Sequence, residues 1–291
     1  MSEHQLDVSA KFLYICRMSK ISERERTINS AETMIGTIRK FGIIPFFRSG
    51  IPGWSVEELT DPECWFYTSD ILGPWDWKID AVREGDIAYG KFLSNKASFA
   101  TTEWYRHLMN WRRANPKYRM ALGEKYQAKT RSEKLLKYLS PLALDAIREN
   151  GSLEMSELRS ICGKQVTDYQ IKSLGGKYRE VLRPAVKKNV MDSVMQFLDM
   201  GTWTVIGDFR RVYRGPNLEY TGWQRSSITR PDDLFHTDVQ SSGQPFWANI
   251  FEDDGADAVT VDCTPEESRQ ILIEHISEFF PEEREAIAKF I

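Results

Sequence analysis

No run of apolar residues in this chain approaches the roughly 18 needed to cross a bilayer, so no membrane-spanning helix and no membrane partner are expected. Cysteine is scarce. The four thiols, Cys16, Cys64, Cys162 and Cys263, lie far apart, with no C-x-x-C pair and no histidine at ligand spacing. A structural zinc site needs such clustering, so no metal is expected and the cysteines read as buried and reduced. The chain also has no P-loop, no Rossmann glycine fingerprint and no G-x-S-x-G elbow, and nothing in it implies a small-molecule cofactor. The opening MSEHQLDVSAKF has no apolar h-region, so no secretory signal is expected and a cytoplasmic location follows as the default.

What is present describes a globular chain. Its 291 residues exceed the usual size of one domain, and 41% hydrophobic with 12% aromatic residues argues against general disorder. The net charge of −3 hides an uneven distribution. Residues 131–230 carry 17 Lys+Arg against 11 Asp+Glu, whereas residues 231–291 carry 3 against 15. A basic middle beside an acidic end fits a nucleic-acid footprint, and it fits ordinary solvated surface as well.

Periodicity gives the organisation. Ala31, Met34, Ile35 and Ile38 recur at helical spacing, with Ser30 as a weak cap and Gly42 as the stop. The apolar IIPFF that follows reads as a buried segment. Ile51 to Trp77, rich in Pro, Gly and Trp, reads as an ordered loop with a short helix at Val56 to Leu59. Ile87 to Phe92 and Ala97 to Ala100 flank a turn at Ser94, Asn95 and Lys96, which predicts a β-hairpin. Thr102 is expected to cap a helix that ends at Asn115 and Pro116. From Arg131 the pattern predicts a helix broken before Pro141 and ending at Gly151, then a short helix opened by Ser152 or Ser156. A third helix is predicted over Ala185 to Met200, and two strands about a Gly-Pro-Asn turn follow it. Helix, short helix, longer helix and hairpin describe a winged helix. The C-terminal stretch gives a strand-like AVTVDC, an amphipathic helix from Pro265 and a last helix over PEEREAIAKFI, which pack on the rest of the protein or on a second copy, so a homodimer stays open. The expected fold class is mainly α with small β-hairpins (α+β), in modules at 1–130, 131–235 and an acidic 236–291.

In a winged helix the apolar stripe of the third helix faces inward and Lys187, Lys188 and Gln196 face a DNA groove. The hairpin tip then carries Arg210, Arg211, Arg214 and Asn217 to phosphates, a task that suits the planar guanidinium fork. The same residues also serve a winged helix that contacts only protein.

GPWDWKIDAVREGDIAYGKFLSNKASFATTEWYRHLMNWRR, together with TWTVIGDFRR, resembles a bacterial group of uncharacterised proteins related to the interstrand-crosslink-repair DNA glycosylases. The resemblance spans most of Ile28 to Leu234 and implies tandem winged-helix modules and a DNA partner. It also implies that Lys91 and Lys96, around the first hairpin's tip, lie where the family's hairpin approaches DNA. In the glycosylases a Gln-x-Gln/Asp pair after the first helix acts at the anomeric carbon. Here those two places fall on Pro45 and Phe47, which can neither position a water nor offset an oxocarbenium charge. The expected function is therefore a non-catalytic DNA-binding relative. The alternatives are a glycosylase working through Glu57 or Glu58 and a protein-interaction module.

Other constellations are weaker. Trp54, Trp65, Phe66, Tyr67, Trp75 and Trp77 form either a platform for an extruded base or the N-terminal core. Glu103 and His107, four apart on a helix, read as a surface pair. Glu252, Asp253, Asp254 and Asp257 lack the EF-hand pattern and read as an acidic turn.

Overall fold

The structure is a computed structural model that describes residues 26–65, 72–165, 187–235 and 261–291. Cys16, Phe66, Tyr67, Ala185, Val186 and the acidic turn at Glu252 to Asp257 lie outside the described residues.

Helix α1 (Ala31–Phe41) opens on a reciprocal cap: the Thr33 N–H donates to Ser30 Oγ at 3.2 Å, and the Ser30 N–H donates to Thr33 Oγ1 at 3.0 Å. That cap satisfies two orphan donors, so the start is firmer than the sequence implies. Gly42 ends the helix at φ 68°, where an added Cβ would also overlap the Trp104 ring. Strand β1 (Ile43–Pro45) follows, then α2 (Val56–Leu59), α3 (Pro62–Trp65), α4 (Pro74–Arg83), the hairpin β2 (Ile87–Leu93) and β3 (Lys96–Thr101), and α5 (Thr102–Arg113). The three strands form an antiparallel sheet in the order β1-β3-β2, with Phe99 of β3 opposite both Ile44 and Tyr89. The cap of α5 falls on Thr101 rather than Thr102, whose hydroxyl instead donates to the Asp86 carbonyl at 3.1 Å.

After α6 (Pro116–Arg119) and a 3₁₀ turn (Met120–Leu122), a second group repeats this order: α7 (Arg131–Asn150), β4 (Ser152–Glu154), α8 (Met155–Gln165), α9 (Lys188–Met200), then β5 (Val205–Arg214) and β6 (Glu219–Thr229). Its sheet runs β4-β6-β5, so in both groups a three-residue strand pairs with the second strand of the hairpin. Two expectations change here. Helix α7 runs through Pro141 without a break. Burial of Leu139 and Ser140 before the proline and of Ala143, Leu144 and Ile147 after it outweighs the missing N–H. Ser152 opens no helix, because Ser152 to Glu154 pair with Thr229 to Ser227 and the helix begins only at Met155.

The chain closes with α10 (Pro231–Leu234), α11 (Pro265–Phe279), a 3₁₀ turn (Pro281–Glu283) and α12 (Arg284–Phe290). As expected, the described residues are mainly helical with two small antiparallel sheets. None of their helices is long and apolar enough to cross a membrane.

Two hydrophobic clusters organise these elements. One joins Met34, Ile38, Trp54, Phe99 and Tyr105 to Leu272, Ile276 and Ile287 of the C-terminal helices, and also takes in Val205 and Phe209 from the root of β5. The other lies among α7, α8 and α9, around Leu139, Ile147, Leu158 and Leu198. The amphipathic α11 therefore buries its stripe within the same chain, against α5. There the His275 ring stacks on Trp104 at 3.5 Å and Asn110 Nδ2 donates to the Cys263 carbonyl at 2.9 Å.

Candidate nucleic-acid interface

The segment after α1 forms the floor of the site. Ile43, Ile44 and Phe46 are wholly buried and Pro45 is buried with them, because β1 is hydrogen-bonded to β3 on one side and covered by Trp54, whose Nε1 donates to the Ile43 carbonyl at 2.9 Å. The Phe46 N–H donates to the Ala97 carbonyl at 2.7 Å, which extends the ladder one residue past the strand. The expected buried segment is observed, with one exception. Phe47 turns outward and is 36% exposed.

Rings gather around that end. Phe46 lies 5.4 Å from Trp65 and 5.3 Å from Trp75 between centroids, and Phe47 lies 5.7 Å from Trp75. Edge-on and tilted arrangements of this kind suit the aromatic quadrupole. Trp54, Trp65 and Trp77 are buried and belong to the core, whereas Trp75 is 40% exposed and shares an open face with Phe47. The six-ring platform thus divides: of its four described rings three are core, and Trp75 alone is open, beside Phe47.

The second hairpin is anchored beside this face. Phe209 of β5 is buried against the first core, and Arg83 of α4 donates to Asp208 Oδ1 at 3.0 Å and to the Phe209 carbonyl at 3.2 Å. From β6, Gln224 Nε2 donates to the Trp75 carbonyl at 3.0 Å and to Asp76 Oδ1 at 3.1 Å. Beyond this root the hairpin runs into solvent. Arg211, Arg214 and Asn217 are exposed, and Arg210 stands opposite Arg225 across the two strands. Like charges placed directly opposite are unfavourable unless something lies between them. Glu154 supplies that charge, 3.6 Å from Arg210 and 3.5 Å from Arg225, but both arginines remain largely exposed. An anion arriving from solvent meets exposed arginines that the neighbouring carboxylates of Glu154 and Asp208 only partly neutralise.

Lys187 caps α9 and Lys188 is its first residue, and both are exposed. They add charge to a helix N-terminus whose own dipole favours anions. Gln196 is half-exposed further along. On the first hairpin Lys91 is exposed, while Lys96 Nζ donates to the Arg48 carbonyl at 2.6 Å. The tip between them is held by other parts of the chain, with Ser94 Oγ donating to the Phe290 carbonyl at 2.7 Å.

Both carboxylates near β1 are engaged. Glu57 accepts the Arg48 N–H at 3.1 Å and faces Arg48 Nε at 3.4 Å, while Glu58 accepts the Ser55 hydroxyl at 2.7 Å. Burial raises the Glu58 carboxyl above its ordinary range, partly offset by the Ser55 bond and by Arg48.

Sequence reasoning passes over Asp76 and Lys78. Both are buried, at 4% and 9% exposure. Lys78 Nζ lies over two rings, 5.0 Å from the centroid of Trp75 and 4.9 Å from that of Phe209. Trp75 and Lys78 are three apart on one helix, a spacing visible in the sequence, but Phe209 comes from β5, far along the chain.

Elsewhere, His107 is half-buried, and the charge of Glu103 acts on it from one helical turn away. Its Nδ1 lies 3.2 Å from Ser268 Oγ and 3.8 Å from Cys263 Sγ, and burial lowers its pKa. No cluster of three metal-ligating side chains occurs among the described residues. Cys64, Cys162 and Cys263 are free thiols, and burial pushes Cys162 up to about 12.

Neither the curated proteins nor the solved structures hold a match to this chain. Residues 28–291 match the model of the family described as AlkZ related, AlkZ being an interstrand crosslink repair glycosylase, and the chain therefore belongs to that family.

Proposed function

We propose that this chain is a DNA-binding protein built of tandem winged-helix modules, which grips duplex DNA through α9 and the β5–β6 hairpin and does not excise bases through the positions that the related glycosylases use. The family itself supports DNA as the partner. The repeated order of helix, short strand, helices and hairpin, with matching sheet orders, supports two winged-helix modules within 1–130 and 131–235. Exposed Arg210, Arg211 and Arg214 on the projecting hairpin, with Lys187 and Lys188 on α9, supply the charge.

One observation carries the non-catalytic part. Pro45 is buried in β1 and Phe47 lies at the open edge of an aromatic cluster, so the two places of the polar pair offer nothing that could position a water or balance an oxocarbenium ion. Glu57 and Glu58 are the second reading, and the raised Glu58 carboxyl is the observation in its favour. The test is binding to random and damaged duplexes across a salt titration, run beside an assay for released base. Salt-dependent binding without release supports the proposal. Salt-independent binding, or release that Glu57→Gln or Glu58→Gln abolishes, overturns it.

A further inference from the structure

Lys78 combines features that a structural lysine rarely has together. It projects from α4 on the same face as Trp75, and its Nζ sits between the Trp75 and Phe209 rings rather than in solvent. The neighbouring Asp76 carboxylate accepts from Gln224 at 3.1 Å. Burial lowers the ammonium to about 8, with the charge of Asp76 opposing the shift. A neutral amine is therefore accessible close to physiological pH, the usual condition for a lysine that attacks carbonyl carbon.

The surroundings point to the kind of carbonyl. Trp75, one wall of the amine's site, lies 5.7 Å from Phe47, and these two exposed rings can fill the gap that a missing base leaves in a stack. Phe209, the other wall, precedes the exposed Arg210 and Arg211, which reach for the phosphates on either side of such a gap. A base-free deoxyribose opens to an aldehyde at C1′. With Pro45 and Phe47 in place of a water-positioning pair, the face suits a sugar that has already lost its base.

We propose that Lys78 is an amine nucleophile that captures the C1′ aldehyde of a base-free deoxyribose in duplex DNA as an imine. This rests on the DNA-binding reading above. The Lys78 nitrogen lone pair forms the new bond to C1′, and the carbonyl oxygen departs as one water with both hydrogens of the neutral amine. Nothing is oxidised or reduced, and the step is reversible.

The test uses the full chain with a duplex carrying one abasic site in the presence of cyanoborohydride, whose hydride converts an imine into a stable secondary amine. The expected result is a covalent protein–DNA adduct that peptide mass mapping places on Lys78. Lys78→Arg, which keeps a cation between the two rings, should reduce the adduct at least about tenfold while thermal melting stays unchanged. Should that variant melt early, the mapped position in the unmodified protein decides the matter alone. A parallel duplex bearing a tetrahydrofuran analogue, which has no aldehyde, reports DNA binding separately. Binding to the analogue with no adduct, or an adduct mapped to another amine, overturns the proposal and leaves DNA binding standing. Failure to bind either duplex overturns both.

Discussion

The Asp199 carboxylate accepts the Lys91 N–H at 3.2 Å, so a side chain at the end of α9 is hydrogen-bonded to the main chain of the first hairpin. Its other oxygen accepts the Thr204 hydroxyl at 2.7 Å. Burial pushes this carboxyl up to about 6, against the opposing effects of the Thr204 and Lys91 N–H bonds and the Lys91 charge. The folded protein then binds a proton that the unfolded chain releases near 3.8, so this group's contribution to stability falls as pH rises from about 4 to 6. Urea unfolding across that range should show the slope, and Asp199→Asn should flatten it. Asp199→Ala leaves buried donors unpaired and should cost roughly 1–3 kcal/mol.

Gly42 has no room for a methyl group. Its φ of 68° disfavours a side chain and its Cβ position falls inside the Trp104 ring, which is itself stacked on His275. Gly42→Ala should lower stability by more than about 1 kcal/mol, since strain and overpacking add. Unchanged thermal unfolding would show that the α1–β1 turn and the Trp104 ring move aside freely.

Pro141 predicts the opposite sign. Within α7 it has no N–H to give the carbonyl one turn back, and the helix is continuous without that bond. Pro141→Ala should stabilise the protein, by up to roughly 3 kcal/mol less what the proline gains by stiffening the unfolded chain. A lower midpoint in chemical denaturation would mean that the proline ring supplies packing that alanine cannot replace.

Charge reversal at Lys187, Lys188, Arg210 and Arg211 should remove most affinity for duplex DNA. The dependence of log affinity on log salt should become shallower by about 0.9 for each phosphate that is no longer neutralised. The salt-titrated comparison of the variant with the parent checks this. An unchanged slope would place the DNA elsewhere on the surface.

Local signals in the sequence are good guides to local structure. Gly42 after a 3.6-residue stripe marks the end of α1, and the Ser94-Asn95 and Gly215-Pro216-Asn217 turns mark both hairpins, because a turn's backbone demands are met by the residues within it. Ser152 to Glu154 hide as a helix start because three residues carry no periodicity, and only pairing with β6 makes them a strand. Pro141 misleads because its penalty is local while the burial that outweighs it is not. The site is half legible. Pro45, Phe47 and the arginines stand out by type and position, but Lys78 does not, since its meaning depends on Phe209 arriving from the second hairpin. The family match extends through residue 291, and the packing of α11 and α12 into the first core gives the physical reason that these helices belong with the rest.

The root of the β5–β6 hairpin is clamped to α4 by Arg83, Phe209 and Gln224. That clamp ties the hairpin that carries the arginines to the face that carries the open rings of Phe47 and Trp75, like the jaws of a caliper. On the DNA-binding reading proposed above, a duplex that engages both has to fit itself to that spacing. Its affinity would then be graded by how cheaply the DNA deforms, which favours positions where stacking is already broken over intact sequence of any composition.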